Sequence, residues 1–337
     1  MVQSKNPSID NTNGKTYISG IDLLRFIASV GVIFSHSFME YQNFFDNYIV
    51  RICVRWIVPF FLIVTGYFLK EDLKAFIRFM LHILIQYIFW TVFYALVFQY
   101  DIWSVRRFLS ALRSGIVLHL WYYPTLMICA VFVWLLIRLI KDPKWILLIC
   151  FVLYIIAFIG HTLINVPAFD VINNSWILRL HHRIMGEVTT RDGVFWGSLY
   201  IAIGYTLKKH RNSERMKIQS YTKFWLLFIP VFILASLEEW AVVWFNTGEK
   251  DILFGTIPMA ILLFVLGLNL KLEKKTGEFL RSTGNTVYVI HYLFLEILIR
   301  QHFLSWKLFL LTTLFTVGSS VLLTLLSSRW PKLKYIL

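Results

Sequence analysis

Three residues in the first apolar run, Ile18 to Met39 (ISGIDLLRFIASVGVIFSHSFM), could do chemistry in a place where they are expensive to keep: Asp22, Arg25 and His36. A charge near the centre of a bilayer costs on the order of 3 kcal/mol or more, so ionisable groups in such runs turn inward and tend to be functional. Arg25 and His36 are eleven positions apart. That is three helical turns plus about 20°, which puts them on one face roughly 16 Å apart. Asp22 and Ser29 join the stripe at i−3 and i+4 from Arg25. Two readings stand. In one, Asp22 and Arg25 pair locally, Arg25 snorkels to the interface and His36 is an ordinary interfacial histidine. In the other, the stripe lines a reaction path and His36 exchanges a proton or carries a group.

Other residues could join it. His119 opens HLWYYPTLM at the start of the fourth apolar run. Trp121, Tyr122 and Tyr123 read equally as an interfacial aromatic belt or as substrate contacts. Pro124 reads as a helix kink. Lys74 and Arg78, after the second run, are topology signals or a pair that holds a phosphorylated donor. His291 and Glu296 lie in the ninth run, each more often structural than catalytic when taken alone. The connection 165–192 carries Arg179, His181, His182, Arg183, Glu187 and Arg191. It is a solvated loop or the rim of a polar acceptor site.

The elements that must position these residues follow from composition. The chain has 337 residues, of which 58% are hydrophobic and 18% aromatic. Soluble domains are not so apolar. Ten apolar runs approach the length that crosses roughly 30 Å of hydrocarbon: 18–39, 52–69, 76–98, 116–138, 145–164, 193–207, 222–245, 252–270, 285–301 and 306–328. The sixth and ninth are short. The expected fold is all-α, a polytopic membrane protein with about ten transmembrane helices. Residues 1–15 form a flexible cytoplasmic tail and 16–337 a single membrane domain. The first run lacks a small-x-small cleavage site and is expected to be retained.

Placing both termini in the cytoplasm puts Lys and Arg on that side by about two to one, as orientation by positive charge requires. A net charge of +14 then belongs to the membrane face, and no nucleic-acid partner is expected. The expected location is the plasma membrane. Cys53, Cys129 and Cys150 lie in or beside apolar runs without CxxC spacing, so neither a disulfide nor zinc is indicated. The sequence has no P-loop, GxGxxG, HExxH or GxSxG pattern, which leaves ATP-driven transport, dinucleotide chemistry, zinc proteolysis and α/β-hydrolase chemistry without support.

Four stretches resemble the integral-membrane acyltransferase 3 family. They are IDLLRFIASVGVIFSH, with an Arg-x10-His pairing at Arg25 and His36; VPFFLIVTGYFL, with Thr65 where Ser is usual; HLWYYPTLM; and RDGVFWGSLYIAIGYTL, with Asp192 where Asn is usual. GNTVYVIH, ending at His291, is similar to the family's penultimate span. The resemblance implies no bound cofactor and an acyl-CoA co-substrate, acetyl-CoA first among candidates, reached from the cytoplasm. It implies as acceptor a hydroxyl of a cell-envelope glycan or small molecule on the outer side. It makes His36 the general base or transient acyl carrier, with Arg25 orienting the donor or stabilising developing charge, and has His119 and Arg191 shape the acceptor side. The family's Arg-x-x-Arg cluster after the second span is replaced by Lys74 and Arg78 at another spacing. The extracellular hydrolase-like domain of some members is not found in this chain, so a separate extracellular partner is one way to complete transfer. The same resemblance takes in membrane modules of serine racemases and proteins once read as glycan exporters, so transport of serine or glycan is the alternative function.

Overall fold

The computed structural model describes residues 18–38, 44–163, 171, 174–176, 179–180, 183, 191, 193–211, 213, 216–245, 251–330, 333 and 336. The tail 1–15, His181, His182, Glu187 and Asp192 lie outside them. Among the described residues the fold is all-helical, with no strand. The helices are α1 Ser19–Ser37, α2 Phe44–Val54, α3 Ile57–Phe68, α4 Leu73–Phe98, α5 Val105–Ser114, α6 Tyr122–Leu139, α7 Pro143–Ala157, α8 Val194–Lys209, α9 Tyr221–Trp244, α10 Thr256–Asn269, α11 Lys274–Arg300 and α12 Ser305–Arg329.

Among the described residues seven segments are long and apolar enough to cross a membrane. These are α1, Tyr48–Phe68 (most of α2 with α3), α4, α6, Pro143–Thr162 (α7 with the turn that follows), α9 and α12. The other three apolar runs also fold as helices, namely α8, α10 and α11. α8 and α10, of 16 and 14 residues, are shorter than a full span of about 20, and α8 is enclosed by protein. Every residue from Phe195 to Tyr205 is buried, because α3, α6 and α7 enclose it. A helix surrounded by protein need not be apolar all round. The perimeter is the reverse: α9 buries only Phe224, Glu239 and Val242 and exposes leucines and tryptophans along its length, as a lipid-facing helix should.

Helix boundaries follow local chemistry. Asp72 caps α4 by accepting from the Ala75 N–H at 2.8 Å, and Asp142 caps α7 with Pro143 in the first turn. Pro59 lacks an N–H and its ring crowds the carbonyl four residues back, at Arg55. The run Tyr48–Phe68 accordingly breaks at Arg55–Trp56. Two sequence expectations change. The fourth helix begins at Tyr122, not 116, so Pro124 sits in a first turn and kinks nothing. His119 therefore lies in the turn before the helix rather than on it.

Close packing around α1 and α8 depends on glycine. A Cβ on Gly66 would stand 2.0 Å from the Ile201 carbonyl oxygen, and one on Gly204 2.0 Å from that of Ile63. α3 and α8 thus touch backbone to backbone, the small-residue contact of membrane helices. Gly66→Ala is expected to lower the unfolding midpoint in detergent, costing about 1–3 kcal/mol through forced separation of the helices. Gly318→Ala, at a glycine with nothing within 4 Å, is the matched control and should be neutral or slightly stabilising.

Candidate active site

α1 and α11 run parallel and form the seam on which the site is built. Asp22 faces Arg281, Arg25 bonds Asn285 and His36 stacks on His291, so both sequences ascend together along the seam. Gly284 allows the approach: a Cβ there would lie 3.1 Å from the Cα of Phe26.

At one end of the seam Arg25 Nη2 donates to Asn285 Oδ1 at 2.9 Å, and Arg25 Nη1 lies 3.6 Å from Asp22 Oδ1. Arg281 Nη1 approaches the other oxygen of Asp22 at 3.9 Å. Two guanidiniums thus share one carboxylate. Tyr122 interacts here with both Arg25 and the Thr65 hydroxyl. The sequence assigned Tyr122 to the acceptor side; the fold puts it in the Arg25 group. Lys74 and Arg78 do not take part. Both are exposed on the first turns of α4, where Arg78 Nε donates to the Lys74 carbonyl. Arg281 and Asn285 were missed in the sequence, although both fall within one turn of each other on the polar half of α11.

At the other end three histidines gather from three places in the chain. The rings of His36 and His291 stack with centroids 5.4 Å apart and planes within 10°. His119 is tilted against His291 at 4.6 Å. His119 and His291 are 2% and 0% exposed, which separates them from bulk water. Tyr94 and Tyr288 meet His119 edge-on at 5.6 Å and Tyr292 lies at 5.8 Å. The turn carrying His119 is fixed from both sides. Tyr288 Oη donates to the His119 carbonyl at 2.8 Å. Gly115 enters the turn at φ +81°, and a Cβ there would stand 2.6 Å from the Trp121 nitrogen.

The protonation pattern of His291 follows from its neighbour. Nδ1 lies 2.8 Å from the Tyr288 carbonyl oxygen. A carbonyl only accepts, so Nδ1 carries the proton and Nε2 of the neutral ring has a free lone pair. That Nε2 is buried and has no hydrogen-bond partner, and the same holds for both ring nitrogens of His119. The Val289 carbonyl interacts with His119 but takes its hydrogen bond from Tyr94 Oη at 2.6 Å. Buried polar atoms are ordinarily satisfied, and the exceptions concentrate where a ligand belongs. Glu296 stands outside the cluster, accepting from Tyr292 Oη at 3.3 Å and from Arg300 Nε at 3.0 Å.

Trp121 follows His119 by two residues in the same turn. The Arg191 guanidinium lies 4.3 Å over the Trp121 ring and pairs with Asp251. Burial pushes the Asp251 carboxyl up, but Arg55, then Arg191, His161 and Arg51, outweigh it and hold it well below the usual carboxylate range. A depressed folded value contributes stability above the ordinary pKa of 3.8, lost as pH falls below that. Mild acid therefore leaves this pair ionised. Among the described residues no group of histidine, cysteine and acidic side chains is arranged to hold a metal ion.

The chain is similar to two proteins of Enterococcus faecalis, each named "Amino-acid racemase". One is 28% identical over 79% of this chain and 38% of its own length; the other is 25% identical over 81% and 40%. The chain thus spans about two fifths of those relatives. No solved structure matches. Residues 18–329 match the acyltransferase domain of family 3, a family of membrane proteins, so the chain belongs to the acyltransferase 3 family.

Proposed function

We propose that the protein transfers an acyl group, acetyl in the first instance, from a cytoplasmic acyl-CoA to a hydroxyl of an envelope glycan or small acceptor on the outer side of the plasma membrane. The observation that carries this reading is the α1–α11 seam. It joins a guanidinium pair at one end to buried, unpartnered histidine nitrogens at the other. The ten helical runs, with both termini inside, supply the orientation. Arg25 and Arg281 hold the donor's phosphates. A pantetheine arm has about as many backbone bonds as four amino-acid residues and so covers about 14 Å when extended. That is close to the roughly 16 Å between Arg25 and His36 along α1.

The chemistry divides between two histidines. His36 attacks the thioester carbonyl, the C–S bond breaks and the CoA thiolate leaves with the proton that the His36 ring gives up as the acyl-imidazole forms. The acceptor hydroxyl then attacks the acyl-imidazole carbon; its proton passes to His291 Nε2 and from there to the His36 nitrogen as the C–N bond to His36 breaks, which restores both neutral rings. Alternatively, His36 acts only as base and transfer is direct. His119 completes the wall of the cavity, and Arg191 with Trp121 borders the acceptor.

A second reading has one observation in its favour, the similarity to proteins named amino-acid racemases. In it the membrane unit moves an amino acid such as serine. Proteoliposomes separate the two. With radiolabelled acetyl-CoA and an acceptor mixture drawn from envelope glycans, the acyltransferase reading expects label in the acceptor. Uptake of labelled serine without any acyl donor, and no labelled acceptor, would replace it with the carrier reading.

A further inference from the structure

Two adjacent carbonyls of α11 treat the buried histidines differently. The Tyr288 carbonyl accepts from His291 Nδ1 at 2.8 Å. The Val289 carbonyl lies beside the His119 ring, but its oxygen is already occupied. A carbonyl oxygen has two lone pairs. Val289 is inside α11, so the helix ladder uses one of them, through the N–H four residues on. Tyr94 Oη uses the other, donating at 2.6 Å. Both ring nitrogens of His119 are left without a hydrogen bond, although the residue is buried.

A second tyrosine hydroxyl fixes where His119 stands. The His119 carbonyl accepts from Tyr288 Oη at 2.8 Å and from the Tyr122 N–H at the longer distance of 3.4 Å. The Tyr288 bond ties the turn to α11, and the Tyr94 bond ties α4 to α11. Both rings also meet the imidazole edge-on. Phenylalanine would fill either place with nearly the same volume. What the hydroxyls add is direction: Tyr288 sets the position of the imidazole, and Tyr94 removes the acceptor to which it would otherwise turn.

The consequence does not depend on a tautomer. A neutral imidazole has one N–H and one lone pair. His291 has given its N–H to the Tyr288 carbonyl and presents a lone pair alone. His119 keeps an N–H to donate, and it is close enough to His36 to interact with it. Attack on a thioester builds negative charge on the acyl oxygen, and a preorganised donor aimed at that oxygen lowers the barrier.

We propose that Tyr94 and Tyr288 are positioning residues that hold the His119 imidazole with its N–H free to donate to the acyl oxygen during transfer. This rests on the acyltransferase reading for the identity of the group that His119 meets.

The test uses the full chain in phosphatidylcholine nanodiscs, with histidine isotopically labelled in the ring for magnetic resonance, and radiolabelled acetyl-CoA with the envelope-glycan acceptor mixture for activity. His119→Leu identifies the His119 imidazole signal by its loss. It also removes two buried polar atoms without partners, so the unfolding midpoint should stay or rise while kcat falls about 10²–10³-fold, the value of an oxyanion donor. Tyr94→Phe frees the Val289 oxygen. With no substrate present, its His119 N–H signal should move as a new hydrogen bond to a carbonyl moves it. Its kcat should fall about five- to tenfold, the value of one hydrogen bond, at unchanged donor KM. Tyr288→Phe should move the same signal and lower kcat likewise, and it carries the test if Tyr94→Phe fails to insert. Adding either change to His119→Leu should lower kcat no further, because both tyrosines act through that ring; a merely structural tyrosine would multiply its loss with that of His119→Leu. Multiplied losses, or a His119 signal that stays put in both tyrosine variants, would overturn the proposal. A signal that moves as expected in a protein that transfers no acyl group would leave the positioning standing and sink the acyltransferase reading. Acyl transfer by the wild type with multiplied losses in the double variants would do the opposite.

Discussion

His36→Ala is expected to lower the rate of acyl transfer by about 10²–10⁴-fold, the usual contribution of a positioned acid–base or nucleophilic side chain, while the protein still inserts and folds. The expectation rests on position. His36 is the one histidine of the three that α1 carries, on the face it shares with Arg25, and its ring stacks at 5.4 Å on a neighbour whose Nε2 lone pair is free. It is also less enclosed than His119 and His291, so its removal leaves fewer buried groups unpaired and should cost little stability. Rapid-quench labelling with radiolabelled acetyl-CoA, acceptor withheld, then separates the two chemical routes. Base-labile label on the protein, lost in His36→Ala, supports the acyl-imidazole. No label, with a fast burst of product on adding acceptor, supports direct transfer. Transfer at wild-type rate in His36→Ala would remove His36 from the reaction.

His291 gives a complementary signature. His291→Gln retains a donor for the Tyr288 carbonyl but no basic nitrogen. It should slow the acceptor half-reaction more than formation of any acyl-protein. A purely structural His291 would slow both alike.

Much of this was legible in the sequence because lipid makes polar residues conspicuous. Asp22, Arg25 and His36 stood out in an apolar run, and their shared face needed only the helical period. HLWY flagged His119 as a candidate, although a turn rather than a helix carries it, through Gly115 and Pro124. What periodicity could not give was partnership across the chain. Arg281 and Asn285 read as ordinary polar residues at a helix start until α11 is laid parallel to α1. Glu239, Asp251 and His161 come together around Arg55 only when α9, the π-helical turn Phe158–Thr162 and the segment before α10 are in place. One signal was available: Glu238 and Glu239 sit side by side in a 24-residue helix whose one other charged residue is Lys223 in its first turn, and Arg51 and Arg55 are spaced one turn apart. Charges so placed need partners, but sequence alone does not name them. Lys74 and Arg78 show the opposite difficulty: basic residues at a membrane edge are common for topological reasons alone, and spacing does not distinguish those from a binding pair.

Arg25→Lys is expected to raise KM for the acyl donor about 10- to 100-fold, because one or two charge-assisted hydrogen bonds are worth about 1.5–3 kcal/mol each. The substitution keeps the charge but loses the planar fork. In the structure that fork spans two tasks, with Nη2 on Asn285 and Nη1 toward Asp22. An ammonium on a flexible stem can serve one of them at a time. Arg25→Ala should do more, since it leaves the Asn285 oxygen without this donor and Asp22 with Arg281 at 3.9 Å as its remaining guanidinium. Some of its loss will be stability, which is why the lysine variant is the cleaner probe. Arg281→Gln supplies the counterpart: it removes the second guanidinium from Asp22 without touching the Asn285 bond, and should raise donor KM while leaving kcat at saturating donor within a few-fold. The acceptor KM should stay constant in both variants, because the seam separates the Arg25 group from the histidines by three turns of α1. If Arg25→Lys instead lowered kcat at unchanged donor KM, the guanidinium would act on the reacting centre, and the donor's phosphates would have to bind elsewhere. That result would make the stripe a single reaction centre instead of two sites joined by a path.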